Sequence, residues 1–289
     1  MTPPVPDGAE VALPDERELL TLLTHGRIDV RGRLSDASNA TLYAVIGLDG
    51  VTAGCVYKPV AGERPLWDFP SRTLARRETA AYELAHAMGW RLVPPTVLRD
   101  GPFGLGSVQW WVDAGGVDED GDPLPGELGA GLVDVVAPDR LPEGWLSVLD
   151  AEGPYGEPVV LAHADDVTLR RMVIFDAVAN NTDRKGGHVL RHASGAVFGV
   201  DHGLTFNVQD KLRTVLWGWA GEPLGAEACE VLTRLVADLA DDGRLRGRLT
   251  DLLSAPEVDR TAARAAVLLE RGRFPRPSRG WPAIPWPAF

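Results

Sequence analysis

The sequence predicts an α+β fold in two lobes, a small antiparallel-sheet lobe followed by a mostly helical one. Three observations predict it. Strand-like runs follow one another between residues 27 and 60, apolar residues at helical spacing dominate the second half, and an acidic stretch with two prolines, residues 113–127, separates the two patterns. The 289 residues, 45% hydrophobic and 24% charged, suffice for one large domain or two small lobes.

Residues 1–13 are proline-rich and expected to be loose. The run "PDERELLTLLTHG" reads as a short helix, with Pro14 at its start, acids in the first turn and Gly26 as its stop. "RIDVRGRL" and "ATLYAVIGL" read as strands separated by "SDASNA", residues 35–40. Asp49 and Gly50 are a hairpin turn, and "VTAGCVYKPV", which carries Lys58, is the returning strand. "SRTLARRETAAYELAHAMG" has a helical period, with Ser71 placed to cap it and Gly89 to end it. Glu78, Ala81, Tyr82 and Ala85 share one face of that helix. "VPPTVLRDGPFGLGSVQWWVD" reads as a hairpin turning near Asp100 and Gly101.

These elements place the first lobe at 14–112. Residues 113–127 carry six acids and no base and read as a mobile loop or lobe boundary. The helical lobe spans 128–272. Within it "DDVTLRRMVIFDAVA" is a helix that runs directly into "NNTDRKGGHVL", and "HVLRHASGAVFGVD" is a hairpin turning at Ser194 and Gly195. Two further helices are predicted, from about 225 to 253 and from 256 to 271. The tail, 273–289, has five prolines in 17 residues and cannot be a long helix. Its tryptophans and Ile284 form either a strap along the helical lobe or an exposed apolar partner site.

A net charge of −12 argues against nucleic acid and anionic membranes as partners, since both require a basic patch. The only basic concentration is late, at Arg271, Arg273, Arg276 and Arg279. Cys55 and Cys229 are too few for a disulfide framework and read as thiols of a reducing compartment. The first residues have no signal-peptide pattern, and no apolar run approaches the roughly 20 residues of a membrane span. The expected location is the cytoplasm.

The chemistry lies in an ordered set. Lys58 sits on a strand and Glu78 on the inward face of the next helix, where a buried carboxylate wants a cation. Asp183 follows in a loop, and a hairpin then delivers Asp201, with His202 and Gly203 behind it. Each piece alone reads equally as a solvated charge, a helix end or a plain turn. Together they are what phosphoryl transfer from ATP requires. A lysine sits on the phosphates and a glutamate holds it, one carboxylate orients the attacking hydroxyl, and another holds a metal.

"NNTDRKGGHVL" followed by "VFGVDHG" resembles the catalytic loop and metal-binding turn of the phosphatidylinositol 3- and 4-kinase-like family, which includes HipA-type bacterial toxin kinases. The resemblance covers about 28–220 and looks closest to an uncharacterised bacterial branch. It implies a two-lobed, protein-kinase-like fold and a kinase that uses ATP with Mg²⁺ or Mn²⁺. By the same resemblance Asp183 is the catalytic carboxylate, Arg184 and Lys185 flank it, and Asp201 and His188 take the metal-ligand positions. Lys58 and Glu78 become the phosphate lysine and its partner, and Ser35, Ser38 and Asn39 lie in the phosphate-covering loop. Residues 109–112, with Gln109, Trp111 and Val112, become the hinge that holds adenine.

Two positions depart from the family pattern. Lys185 stands where the family has histidine, and its ammonium either stabilises transferring charge or is solvated. His188 stands where the family has a metal-binding asparagine, and imidazole suits softer ions than Mg²⁺. Three outcomes are open at His188: use of Mn²⁺, one metal held through Asp201 with Asn180 or Asn181 helping, or a nucleotide-binding pseudokinase without transfer. A kinase-fold nucleotidyl transferase is a further alternative. The acceptor is an unidentified hydroxyl on a soluble small molecule or a protein rather than a membrane lipid. Lys211 and Arg213 are either its anion contacts or a solvated pair.

Overall fold

A computed structural model describes residues 12–34, 39–117, 123–278 and 280–289. It is a mixed α/β structure of antiparallel sheets and helices. Helix α1, Glu16–His25, begins two residues after Pro14. Asp15 caps it by accepting from the N–H groups of Arg17 and Glu18, and Gly26 follows its last turn. Strands β1, Arg27–Arg33, β2, Leu42–Leu48, and β3, Val51–Pro59, then form a meander. Asp49 (φ 49°) and Gly50 (φ 84°) both take the left-handed conformation that a two-residue hairpin turn demands.

Helix α2, Leu74–Met88, follows. Its cap differs from the expectation. Ser71 lies outside the helix, and the Glu63 carboxylate instead accepts from the N–H groups of Leu74 (3.1 Å) and Ala75 (2.9 Å). This ties the start of α2 to the end of β3. Strands β4, Thr96–Gly101, and β5, Gly104–Trp110, complete a five-stranded antiparallel sheet in the order β1-β2-β3-β5-β4. The β4–β5 turn sits at Pro102 and Phe103, just past Asp100 and Gly101.

The alternation of strand side chains divides this sheet into two faces. Ala44, Ile46, Cys55, Tyr57, Val108 and Trp110 pack against Leu19, Leu22 and Leu23 of α1. Lys58, Val56, Ser107 and Gln109 occupy the opposite face. Helix α2 touches β4 and β5, yet its apolar side, from Ala80 to Met88, belongs to the same core as the later helices. It is therefore shared between the sheet and the helical body.

The acidic stretch contains β6, Asp113–Val117, paired with β7, Pro123–Pro125, and then β8, Glu127–Leu128. The second half is not mostly helical as expected, since strands accompany its helices. Strands β9, Val133–Val136, β10, Trp145–Glu152, and β11, Pro158–Ala164, form a three-stranded sheet in the order β10-β11-β9. Helix α3, Val167–Ala179, is capped by Asp166 and ends at Asn180 in a left-handed conformation (φ 52°). Strands β12, Val189–Arg191, and β13, Val197–Gly199, form the predicted hairpin, with β8 paired to β12.

The long helix expected from 225 to 253 is two helices, α4, Ala226–Asp238, and α5, Arg244–Thr250. The Asp238 carboxylate accepts from the N–H of Arg244 (3.1 Å), restarting the chain after Gly243. Helix α6, Ala255–Arg271, opens on a capping box between Ser254 and Glu257. Glu257 also pairs with Arg77 of α2, whose guanidinium is fully buried and donates to Thr205 O (2.7 Å). Among the described residues, no helix is long and apolar enough to cross a membrane.

Candidate active site

Strand β3 presents Lys58 on the face of the sheet beside α2. Its Nζ donates to Glu78 Oε1 (2.5 Å) and to Asp201 Oδ1 (2.8 Å). Burial alone would lower the ammonium's pKa, but Asp201 and Glu78 outweigh it and hold the group above its ordinary value. Burial pushes the Glu78 carboxyl up, against the pull of Lys58. Glu78 does a second task, since its Oε2 accepts from the backbone N–H of His202 (2.9 Å). One carboxylate of α2 thus fixes the lysine and also the turn that carries Asp201.

That turn is conformationally specialised. Asp201 has φ 58°, a left-handed conformation uncommon for a residue other than glycine. The ammonium of Lys58 holds its carboxyl well below the usual carboxylate range, against burial. While Oδ1 takes Lys58, Oδ2 lies 3.5 Å from His188 Nε2. His188 Nδ1 is 2.8 Å from the carbonyl oxygen of Asp183. A carbonyl only accepts, so Nδ1 carries the proton and Nε2 presents a lone pair. Burial pushes the His188 imidazole down to about 4, so it is neutral at neutral pH. Two acceptors therefore face one another across 3.5 Å, an arrangement that a cation between them satisfies.

The loop after α3 is built around Arg184. This guanidinium is fully buried and forms a two-pronged pair with Asp176 of α3, at 2.9 Å for both contacts. Its Nη1 donates to the carbonyls of His188 and Val200, and its Nη2 meets His202 Nε2 at 2.7 Å. Arg184, expected to flank the catalytic carboxylate, has its donors committed to tying the loop to the Asp201 turn. Asp183 follows Asn181, whose amide oxygen accepts from the Asp183 N–H (3.0 Å). Its carboxylate lies 3.9 Å from Lys185 Nζ and 3.9 Å from Arg213 Nη2. Burial pushes the Asp183 carboxyl up to about 6, against the pull of Lys185.

Other expected site residues lie elsewhere. Ser35 and Ser38 fall outside the described residues. Asn39 is described, and its side chain accepts from the N–H of Arg64 (2.8 Å). At the expected hinge, 109–112, Gln109 and Trp110 end β5, which lies between β3 and β4, and Trp111 and Val112 follow it. Gln109 is buried and donates to Thr96 Oγ1 (2.8 Å), and the Trp111 N–H donates to Gly54 O (3.0 Å). Val112 is a core residue of the first sheet. The Trp111 ring meets Tyr43 edge-on at 4.9 Å, and its buried Nε1 has no hydrogen-bond partner. Lys211 is neither solvated nor open to a substrate. It is buried, paired with Asp68 (3.1 Å), and held between the rings of Trp67 and Trp281.

Asp176 escaped the sequence reading, although a lone acid in the apolar run "MVIFDAVA" is a signal. Arg213, expected as an anion contact of the substrate or as a solvated residue, stands beside Asp183. Of the two forms expected of the tail, the structure shows the strap. The Ala283 carbonyl accepts from Trp217 Nε1 (2.9 Å) and from the N–H of Thr214 (3.0 Å), and the Ala288 carbonyl accepts from the N–H of Gly186 (2.8 Å). The Phe289 ring covers Gly186 so closely that a Cβ there would overlap it. Gly186→Ala is therefore expected to displace the end of the strap. Amide hydrogen exchange at residue 186, whose N–H donates to Ala288 O, should be faster in this variant than in the wild type, and equal exchange would refute the contact.

No family model matches the chain. It is 47% identical over 284 residues to Protein Rv2133c of Mycobacterium tuberculosis, covering 98% of this chain and 99% of that protein. Among solved structures it is similar to the Golgi casein kinase, with TM-score 0.49, 14% identity, 90% of this chain and 75% of that chain covered. A second structure of that kinase, with Mn/ADP bound, gives 0.48, 14%, 89% and 75%. The Helicobacter pylori proinflammatory kinase CtkA gives 0.39, 11%, 85% and 98%. Likeness at this level assigns no activity by itself.

Proposed function

This chain belongs to the family of the Mycobacterium tuberculosis protein Rv2133c, and we propose that it is an ATP-dependent phosphotransferase acting on a hydroxyl group. One observation carries the reading. Lys58 Nζ is held between Glu78 and Asp201, while the same Asp201 faces the lone pair of His188. A lysine fixed by an α2 carboxylate and poised at a metal-ligand aspartate is the arrangement that receives nucleotide phosphates.

The residues present fit a divalent cation. Among the described residues, no three His, Cys, Asp or Glu side chains gather into a cage. Asp201 and His188 supply two ligands, which suits an ion that takes its remaining ligands from phosphate oxygens and water. The imidazole favours Mn²⁺ over Mg²⁺ relative to an oxygen-only site. Such an ion would neutralise charge on the β- and γ-phosphates.

Lys58 binds the α/β-phosphates once it releases Asp201. Asp183 accepts the proton of the acceptor hydroxyl as that oxygen bonds to the γ-phosphorus, and the bridging oxygen leaves with ADP. Lys185 and Arg213, both near the Asp183 carboxylate, offer positive charge to the transferring group. Arg184 acts by holding the loop. The acceptor is a soluble small molecule or a protein hydroxyl, in keeping with the net charge of −12. The free thiols Cys55 and Cys229 accord with a cytoplasmic setting.

Binding is the first test. Calorimetry with Mn²⁺–ATP should give a saturable isotherm that Lys58→Met weakens, and no binding of any nucleotide would overturn the reading. Mass spectrometry of the reaction products separates a phosphate adduct from the AMP adduct of a nucleotidyl transferase.

The raised Asp183 value predicts a pH profile. The base must be a carboxylate, so kcat/KM should rise with pH through about 6 and level off above it. Stability runs the other way. The folded state holds this proton more tightly than the unfolded chain, so the group costs stability as pH climbs from about 4 towards 6, and fully above that. Asp183→Asn removes the cost. Denaturant unfolding should show it more stable by roughly 1–3 kcal/mol at neutral pH, and little changed in acid. A variant less stable than wild type at neutral pH would contradict the desolvation account.

A further inference from the structure

A cavity of about 500 Å³ opens between α6, the segment after Asp201 and the start of the strap, and none of Lys58, Glu78, Asp183, His188 or Asp201 lines it. Its size is that of a small-molecule site. Its charge is opposite to that of the chain. Arg260, Arg264, Arg271, Arg273 and Arg276 line it against one carboxylate, Asp210, in a protein of net charge −12. Asp210 is already shared, accepting from Arg260 (2.8 Å) and Arg264 (2.9 Å). Among the described residues, Arg271 and Arg276 have no hydrogen-bond or ion-pair partner. Arg264 has a side chain only 9% exposed, and its Nη1 is buried without a partner. Apart from Asn180 and Ser278, the remaining wall is apolar, with Leu212, Trp217, Val267, Leu268 and Phe274 its largest side chains.

Five guanidiniums against one carboxylate leave an excess of four positive charges around an apolar floor. A neutral ligand leaves that charge uncompensated, and a purely inorganic anion leaves the floor wet. A dianionic head group takes up more of the excess than a carboxylate does, and guanidinium forks match phosphate oxygens in pairs. We propose that this cavity is a second ligand site, which binds a small phosphomonoester with an aromatic or acyl body. Asn180 links it to the loop of Asp183. It lines the cavity, and its side chain holds the carbonyls of Asn207 and Gln209 and the N–H of Lys211.

The test is calorimetry on the full chain with 1-naphthyl phosphate, against inorganic phosphate, 1-naphthol and 1-naphthoate as controls. Naphthyl phosphate should bind at least about tenfold more tightly than each control. The exposed double variant Arg271→Glu/Arg276→Glu should weaken it at least about tenfold with its unfolding midpoint unchanged. If that variant unfolds, Arg271→Gln/Arg276→Gln takes its place with the same expectation. Mg²⁺–ATP should not displace the probe. The proposal is overturned by the absence of saturable binding, by affinity indifferent to the arginine variants, or by displacement with Mg²⁺–ATP. Because the probe is read by binding alone, its failure is distinct from failure of the transfer reaction.

Discussion

Asp201→Asn should lower phosphoryl transfer by about 10²–10³-fold while leaving the fold in place. Asparagine is the informative replacement because it tolerates the left-handed conformation of residue 201, whereas alanine there adds a backbone cost of roughly 1–2 kcal/mol. The amide oxygen can still accept from Lys58, so the lysine stays near Glu78. What is lost is the negative charge that faces His188 and that a metal on the phosphates needs. Calorimetry should show Mn²⁺–ATP affinity falling together with turnover, and circular dichroism and the unfolding midpoint should stay near wild type. Asp201→Gly, which keeps the backbone and removes the carboxylate, should behave alike. Full activity in either variant would remove Asp201 from the chemistry.

The second large effect is on stability. Arg184→Met strands Asp176, which is fully buried, and takes the donors from the carbonyls of His188 and Val200. Leaving a buried charge unpaired costs about 3–5 kcal/mol, a large part of a domain's stability. Denaturant unfolding should show that loss. The double variant Asp176→Leu/Arg184→Met should recover much of it, because both charges then leave the interior together. It should not recover activity, since the His188 and Val200 carbonyls that Arg184 holds flank the Asp201 site. If the double variant is as unstable as the single one, the Arg184–Asp176 pair is not what the single variant breaks.

How much of this was legible in the sequence follows from how local each signal is. The meander through Lys58 was readable because strand alternation and the Asp49–Gly50 turn are set by adjacent residues. The Lys58–Glu78 contact was readable because Glu78 falls on an apolar helix face, where a carboxylate needs a cation. The cap of α2 was not, since Glu63 reaches it from eleven residues before Leu74. The packing of residues 109–112 was not legible, because tandem tryptophans look alike whether they flank a base or fill a sheet. Only the register of β5 against β4 shows that Gln109 faces Thr96. The sheet at 133–164 was missed because β10 is largely exposed, which leaves "WLSVLDAE" with weak alternation. Arg184 was read beside its neighbours in the loop, while its partner Asp176 lies eight residues back, in the last turn of an apolar helix. The break between α4 and α5 was written in "DDG", but the apolar period on both sides masked it.

If this cluster moves the γ-phosphoryl group of ATP to a hydroxyl, the product carries that group. Intact-protein and product mass spectrometry after incubation with Mn²⁺–ATP tests it most directly, comparing wild type with Asp183→Asn. A phosphate adduct is expected, on the chain itself or on an added hydroxyl acceptor pool, that is lost in Asp183→Asn while Mn²⁺–ATP binding persists. A phosphate adduct formed equally by Asp183→Asn, or an AMP adduct in its place, would contradict it.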